Sequence, residues 1–109
     1  MEQRSATAHR LGPVEAIPVG EGRAFAVGSE AEGRAQVVVF RLRDGSMRAT
    51  QALCPHAGGP LADGQLDAAK IVCPLHARAF SFADGTCAEG ERIRVHPVRD
   101  ENGQIVVEI

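Results

Sequence analysis

The sequence predicts an all-β fold in a single domain. Its apolar runs are short, rich in β-branched residues and separated by Gly, Pro, Asn and Asp turn signals. No stretch of eleven or more residues carries a helical period of apolar side chains. The chain has 109 residues, which suffices for one modest core, and neither a repeat nor a linker divides it.

The N-terminal sequence and the net charge limit the classes of protein to which this chain can belong. We expect the mostly polar residues 1–11 to be loosely held and residues 12–109 to form the domain. The N-terminus lacks the apolar core of a secretory signal, and no segment reaches the roughly 18 apolar residues of a membrane span. With 12 basic and 14 acidic residues, the net charge of -2 does not indicate nucleic-acid or membrane partners. A cytoplasmic protein is therefore expected.

The first half of the chain is predicted to form a meander of strands. Residues 23–27 and 35–42 are apolar and β-branched, as strands are. The Arg-Asp-Gly-Ser sequence at 43–46 predicts a tight hairpin turn, because Asp and Gly tolerate positive φ. Residues 47–53 then return as the next strand and lead into Cys54.

The second half is predicted to contain shorter strands. The AGGPLADG sequence at 57–64 is too rich in Gly and Pro for a helix or a central strand. An Asp-Gly pair at 84–85 predicts another turn. The predicted strands are 65–66, 70–72 and 79–82, followed by a final hairpin of 93–97 with 104–109 around a turn at 100–103.

Four metal-ligating side chains stand at the ends of predicted strands. They follow the order Cys54-x-His56, sixteen intervening residues, then Cys73-x-x-His76. Three cysteines in a chain expected to be cytoplasmic argue against a disulfide framework and favour metal binding or redox chemistry. Because loops at strand ends are positioned by a rigid scaffold, the two pairs can come together in the fold.

Two kinds of metal site are compatible with this ligand set. Structural zinc sites usually take two cysteines from one segment and two histidines from another, whereas here each segment supplies one of each. An iron–sulfur cluster with two cysteines on one iron and two histidines on the other explains the mixing, because each loop then serves both irons. Replacing thiolates by neutral imidazoles also makes the cluster easier to reduce.

The sequence C54-P-H56…C73-P-L-H76 closely resembles the signature of Rieske [2Fe–2S] proteins. Leu61, Gly64, Phe80 and the 84–85 turn extend the resemblance across the predicted domain. It implies the Rieske fold, an antiparallel β-sandwich with a small cluster-binding subdomain near residues 53–82. It also implies that the cofactor is a Rieske-type [2Fe–2S] cluster, with the buried iron on Cys54 and Cys73 and the outer iron on His56 and His76.

Departures from the family pattern carry information about the cluster's potential. Rieske proteins of the respiratory complexes have an extra, disulfide-forming cysteine in each loop, at places that correspond to Gly59 and Leu75. They also offer Ser and Tyr hydroxyls to the cluster sulfurs, where residues 77–80 here read Ala-Arg-Ala-Phe. Hydrogen bonds to the sulfurs raise the potential. We therefore expect a potential near the bottom of the Rieske range of about -150 to +300 mV, which the charge of Arg78 would partly offset.

The resemblance implies an electron carrier with no independent catalytic site. An oxygenase would need a second, mononuclear iron, and this chain has neither spare clustered histidines nor the length for that domain. The implied partners are a flavin-dependent reductase and the terminal oxygenase of an aromatic-ring dioxygenase. The alternative is the small subunit of a cytosolic NAD(P)H-dependent nitrite reductase, with the large subunit as partner. A zinc-stapled β domain without redox activity is the remaining hypothesis.

The Gly, Pro and Leu residues of the two loops are expected to shape and shield the site. Gly58, Gly59 and Pro60 are expected to shape the first loop, and Pro55, Pro74 and Leu75 to shield the cluster. An apolar docking patch is expected around the histidines. Its members are Pro55, Ala57, Pro60 and Leu75.

Three further residues lie outside the motif. Cys87 is expected to be a free, partly buried thiol, since it has no spare partner cysteine. His9 and His96 are expected to have structural or surface roles.

Overall fold

A computed structural model describes residues 8–29, 33–55, 58–75 and 77–109. Ten β-strands and two 3₁₀ helices lie in these ranges. The strands are β1 (Ala8–Pro13), β2 (Glu21–Ser29), β3 (Gly33–Arg41), β4 (Met47–Gln51), β5 (Gln65–Leu66), β6 (Lys70–Val72), β7 (Ala79–Ser81), β8 (Val95–His96), β9 (Val98–Glu101) and β10 (Gln104–Glu108). The 3₁₀ helices are Val14–Ala16 and Leu61–Asp63, and no helix among the described residues is long and apolar enough to cross a membrane.

The strands form three antiparallel sheets. One sheet has the order β1-β10-β9, a second has β2-β3-β4-β8, and a third has β5-β6-β7. Every strand pairing within them is antiparallel. The predicted all-β fold class is therefore confirmed.

Strand β3 is buried on both of its faces and contributes side chains to both apolar cores. Val37 and Val39 pack on one face, and Val38 and Phe40 on the other, with at most 1% of each side chain exposed. A run of apolar residues without alternation is the pattern of a strand covered on both sides. The four-stranded sheet is thus the middle layer of the fold.

A separate apolar core lies on each face of this middle sheet. The core between the β2-β3-β4-β8 and β1-β10-β9 sheets contains Val14, Ile17, Val27, Val37, Val39, Met47, Ala49, Ile105 and Val107. The core between the middle sheet and the β5-β6-β7 sheet contains Val38, Phe40, Leu42, Cys54, Leu61, Ile71, Cys73, Phe80, Phe82 and Ile93. We call the second one the cysteine core, since both motif cysteines belong to it.

Both predicted Asp-Gly turns are confirmed. Asp44 accepts hydrogen bonds from the amide and the hydroxyl of Ser46, at 2.9 and 2.6 Å. Asp84 accepts the same pair from Thr86, at 3.1 and 2.7 Å. These bonds hold the pKa of each carboxyl below its ordinary value. Gly85 has a φ of +80° and lies so close to the Ile93 carbonyl that a Cβ there would be 2.0 Å from the oxygen.

The prediction for the N-terminus was wrong for residues 8–11. Strand β1 begins at Ala8 and pairs with β10, with His9 opposite Val107. A strand at a sheet edge is held by backbone hydrogen bonds and needs few apolar side chains, so its sequence carries a weak signal. Leu11 packs against the core that contains Val37 and Val39. Residues 1–7 of the predicted loose segment lie outside the described part of the chain.

The final hairpin was also predicted in the wrong register. Residues 98–101, not 93–97, pair with β10, and β8 pairs with β4 in the middle sheet. Asn102 and Gly103 have φ of +56° and +85°, which is the two-residue type I′ turn that hairpins favour. Asp100 and Glu101 therefore belong to β9 and not to the turn. Pro97, which has no amide hydrogen, marks the point where the chain leaves the middle sheet.

The remaining differences concern the ends of elements. Strands β5 and β6 have the predicted bounds, whereas β2 and β3 begin two residues earlier than predicted. Strand β4 ends at Gln51, and the chain then makes a single bridge between Leu53 and Pro60. The 3₁₀ helix at Leu61–Asp63 was not predicted; it buries Leu61 fully in the cysteine core.

Candidate metal centre

The two motif cysteines are buried in the same apolar core. Cys54 follows β4 and Cys73 directly follows β6, with 2% and 1% of their surface exposed. Both are free thiols within the cysteine core, beside residues such as Phe80. The other two expected ligands, His56 and His76, lie outside the described residues, as does Ala57.

The loops that carry these cysteines share one hydrogen-bond pattern. We call residues 54–59 the first loop and residues 73–78 the second loop. The Cys54 carbonyl accepts from the Gly58 amide at 2.7 Å, and the Cys73 carbonyl accepts from the Ala77 amide at 3.1 Å. Each cysteine amide donates to the carbonyl five residues later, which is Gly59 at 2.9 Å or Arg78 at 2.8 Å. Each loop thus closes around its cysteine in the same way.

The fifth residue of each loop has left-handed backbone geometry. Gly58 has a φ of +72° and Ala77 has a φ of +57°. This geometry is free for Gly and disfavoured for Ala, because the Cβ crowds the backbone. The two loops are therefore similar in shape, but the second one carries backbone strain that the first does not.

The first loop lies against the second at Gly59. A Cβ on Gly59 would be 2.8 Å from Sγ of Cys73 and 3.0 Å from Cγ of Leu75. Gly59 and Leu75 are the places where the respiratory Rieske proteins are expected to carry their disulfide, so these two positions are indeed neighbours. In this chain one of the two positions is a glycine, and because it has no side chain the first loop lies close to Cys73.

Apolar side chains surround the two loops at the surface. Leu53 and Leu75 are 53% and 55% exposed, although they are large and apolar. Pro55, Pro60 and Pro74 are also exposed. Exposed apolar side chains that cluster around one site indicate an interaction surface more than scattered ones do.

The side chain of Arg78 pairs with two carboxylates. Its Nη1 lies 3.2 Å from Oε1 of Glu91 and 3.5 Å from Oε1 of Glu89, and 18% of its side chain is exposed. The Cys87 thiol donates to Oε1 of Glu91 at 3.5 Å. We call Arg78, Cys87, Glu89 and Glu91 the Arg78 network. One guanidinium thus faces two carboxylates, which compensate its positive charge.

Residues 87–91, which carry these carboxylates, form a turn closed by backbone hydrogen bonds. The Cys87 amide donates to the Glu91 carbonyl at 3.2 Å, and the Gly90 amide donates to the Cys87 carbonyl at 3.1 Å. Hydrogen bonds from the backbone of Glu89 and from Cys87, together with the charge of Arg78, hold the pKa of Glu89 below its ordinary value. Sequence reasoning missed Glu89 and Glu91, because the acidic residues lie more than ten positions from their partner and resemble an ordinary solvated turn.

Among the residues outside the motif, Cys87 is placed as expected, whereas His9 lies in a paired strand and not in a loose N-terminal segment. Cys87 is a half-buried free thiol. His96 lies in β8 opposite Ala49, and burial, with the nearby charge of Arg94, lowers the pKa of its imidazole. His9 lies in β1. Neither histidine adjoins the motif cysteines in the strand pairings, so structural roles fit both.

The described part of the site fits an iron–sulfur cluster. Two thiols are buried in one apolar core, and cysteine thiolates are the protein ligands of such clusters. Because Gly59 has no Cβ, the first loop can approach the sulfur of Cys73 closely. A group of three or more metal-ligating side chains is not found among the described residues, a range that leaves out both motif histidines.

Comparisons with known proteins agree with this chemistry. The family model of the Rieske [2Fe-2S] domain matches residues 8–105. The chain is 30% identical over 104 residues to the anthranilate 1,2-dioxygenase ferredoxin subunit of Burkholderia cepacia, covering 93% of this chain and 91% of that protein.

Two solved structures have the same fold. One is described as an NADH-dependent nitrite reductase small subunit from Mycobacterium tuberculosis, with a TM-score of 0.80, 25% identity, and coverage of 95% of this chain and 96% of that one. The other is a chain of the complex of reduced oxygenase and oxidized ferredoxin in carbazole 1,9a-dioxygenase, with a TM-score of 0.74, 27% identity, and coverage of 91% and 99%. The chain belongs to the Rieske [2Fe-2S] domain family, whose cofactor is a Rieske-type [2Fe–2S] cluster.

Proposed function

We propose that this protein is a one-electron carrier that passes electrons from a flavin-dependent reductase to a terminal oxygenase of the aromatic-ring dioxygenase type. The observation that carries the proposal is the pair of loops with matching hydrogen bonds, each of which buries one cysteine in the cysteine core. The protein has no catalytic site of its own in this proposal and serves as a component of an oxidoreductase system.

The proposed ligands are the four motif residues. Cys54 and Cys73 would hold the buried iron, which their burial supports. His56 and His76 would hold the outer iron, near the surface. When bound, the cluster supplies one reversible electron and makes or breaks no substrate bond. The chain's own part is to position the ligands, exclude water and present the site to a partner.

The proposed cluster-binding subdomain comprises residues 53–82. It contains both loops, the 3₁₀ helix at Leu61–Asp63 and the β5-β6-β7 sheet. Its exposed apolar residues, among them Leu53 and Leu75, would form the docking surface for the reductase and the oxygenase in turn. A small surface suits this role, because electron-transfer partners must separate quickly.

The ferredoxin role is supported by the relative from Burkholderia cepacia, a ferredoxin subunit that this chain matches over nearly its whole length. The second candidate is the small subunit of an NAD(P)H-dependent nitrite reductase, with a large subunit as partner. The TM-score of 0.80 to a structure of that description supports it. Reconstitution with purified partners distinguishes the two, because the protein should support electron flow to one terminal enzyme and not to the other.

We also propose a low reduction potential and a cytoplasmic location. Residues 77–80 offer no hydroxyl to the cluster, and the positive charge of Arg78 is compensated by Glu89 and Glu91. The three free cysteines favour a reducing compartment.

The test of the proposal is the low-temperature EPR spectrum of the dithionite-reduced protein, with metal analysis and a redox titration. We expect the rhombic signal of a reduced, histidine-ligated [2Fe–2S] cluster and a potential near the bottom of the Rieske range. A colourless protein that contains zinc and gives no signal would show that the two loops form a structural zinc site instead.

Histidine ligation has its own test. His76→Ala should abolish the rhombic signal or change its g values, because the outer iron would lose a ligand. His96→Ala is the matched control, since His96 lies in β8 in the middle sheet. The same spectrum and potential in His76→Ala as in the control would contradict the ligand assignment.

A further inference from the structure

The second loop holds a strained residue that the equivalent position of the first loop avoids. Ala77 adopts a φ of +57°, whereas Gly58 takes the same place in the first loop at no steric penalty. A non-glycine residue keeps such a conformation only where its surroundings impose it. Ala77 stands next to Arg78 at the carboxyl end of the second loop.

Both the backbone and the side chain of Arg78 are held by contacts. The backbone carbonyl of Arg78 accepts the Cys73 amide at 2.8 Å, and its largely buried side chain lies within 3.2 and 3.5 Å of Glu91 and Glu89. The first loop has Gly59 at this position, with no side chain at all. The second loop is therefore fastened from outside through the ion pairs of Arg78, which the glycine at residue 59 of the first loop cannot make.

We propose that Arg78 is a positioning residue for the cluster. Its ion pairs with Glu89 and Glu91 hold residues 77–78 in the geometry that closes the second loop around Cys73, and they thereby fix how the second loop holds the cluster. This inference rests on the proposed cluster site and extends it to the 87–91 turn, which contains no proposed ligand. Both carboxylates contact the same guanidinium nitrogen, Nη1, so a neutral side chain at residue 78 would release both ion pairs at once.

The experiment compares Arg78→Gln with Arg99→Gln in the cluster-loaded protein. Arg99 is the matched control, because it also pairs with two carboxylates, Glu101 and Glu108, but on the β9–β10 hairpin. Two quantities are measured for each variant: the rate of cluster loss to an iron chelator, and the line width of the EPR signal after reduction. We expect Arg78→Gln to lose its cluster about three to ten times faster than the wild-type protein, with a broadened signal, as loss of a partly buried ion pair predicts.

A second variant tests whether the effect acts through Ala77. In an Ala77→Gly background the second loop no longer needs to be held against strain, so Arg78→Gln should change the rate and the line width far less there. Arg78→Lys should show a partial defect. An Arg78→Gln effect of the same size in both backgrounds would overturn the positioning role, because the ion pairs would then not act through the strain at Ala77.

Failure of this inference is distinct from failure of the proposed function. If the wild-type protein carries no [2Fe–2S] cluster, the proposed function itself is wrong. If the wild-type protein is loaded and Arg78→Gln behaves as Arg99→Gln does in both measurements, the Arg78 network is an ordinary surface ion pair and the inference is overturned.

Discussion

Gly59 lies directly against the thiol of Cys73, so that a Cβ on the glycine would stand 2.8 Å from the sulfur. This contact joins the two loops, since Gly59 closes the first loop on the Cys54 amide while Cys73 begins the second. The glycine is required by close packing and not by its backbone angles. A single methyl group added at Gly59 would therefore push the first loop and Cys73 apart.

Gly59→Ala should therefore impair cluster binding. Relieving the overlap must displace either the first loop or Cys73, which by the usual penalty for overpacking reduces cluster occupancy about tenfold. Iron and sulfide content per chain after purification measure this. Gly58→Ala is the control, because a Cβ there meets nothing within 4 Å and adds only backbone strain of the kind Ala77 already tolerates. Equal occupancy in the two variants would show that the contact is unimportant.

Ala77→Gly should stabilise the protein, because glycine adopts the left-handed geometry without strain. We expect a gain of about 1 kcal/mol, or an unfolding temperature raised by about 4 °C. Thermal unfolding followed by circular dichroism measures the change. Asn102→Gly, at a φ of +56°, should gain less, since Asn tolerates this region better than Ala does. A larger gain at residue 102 would argue against strain at Ala77.

The two buried faces of β3 predict different consequences for adjacent valines. Val38→Ala and Val39→Ala should each lower the free energy of unfolding by about 2 kcal/mol, because each leaves a cavity. Val38 packs in the cysteine core and Val39 in the other core. Only Val38→Ala should therefore also speed cluster loss to a chelator. Similar rates of cluster loss in the two variants would mean that the cores do not act separately.

The Asp44 turn predicts a pH dependence with a definite sign. The hydrogen bonds from Ser46 lower the pKa of Asp44 from its ordinary 3.8, so the folded state favours the carboxylate. Its stabilisation is complete above pH 3.8 and is lost as the pH falls through the lower folded-state pKa. The difference in unfolding temperature between wild type and Asp44→Asn should thus be constant from pH 7 to about pH 5 and vanish in acid. A difference that is unchanged at the lowest pH would exclude this charge as the cause.

Local sequence accounts for the features that depend on a few neighbouring residues. The turns at Asp44 and Asp84 were predicted because Asp and Gly specify turn geometry on their own. Strands β5 and β6, each bounded by turn residues, were predicted at their observed ends. The spacing of Cys54, His56, Cys73 and His76 indicated the family before any fold was known, since ligand spacing reflects the chemistry of the cofactor.

Tertiary structure decided the features that depend on distant partners. Strand β1 exists because β10 supplies its hydrogen bonds, and the register of the last hairpin follows from the Asn102-Gly103 turn and from the pairing of β8 with β4. The contact of Gly59 with Cys73 and the ion pairs of Arg78 join residues more than ten positions apart. No local propensity encodes such pairings, because their energy arises only when the folded chain brings the partners together.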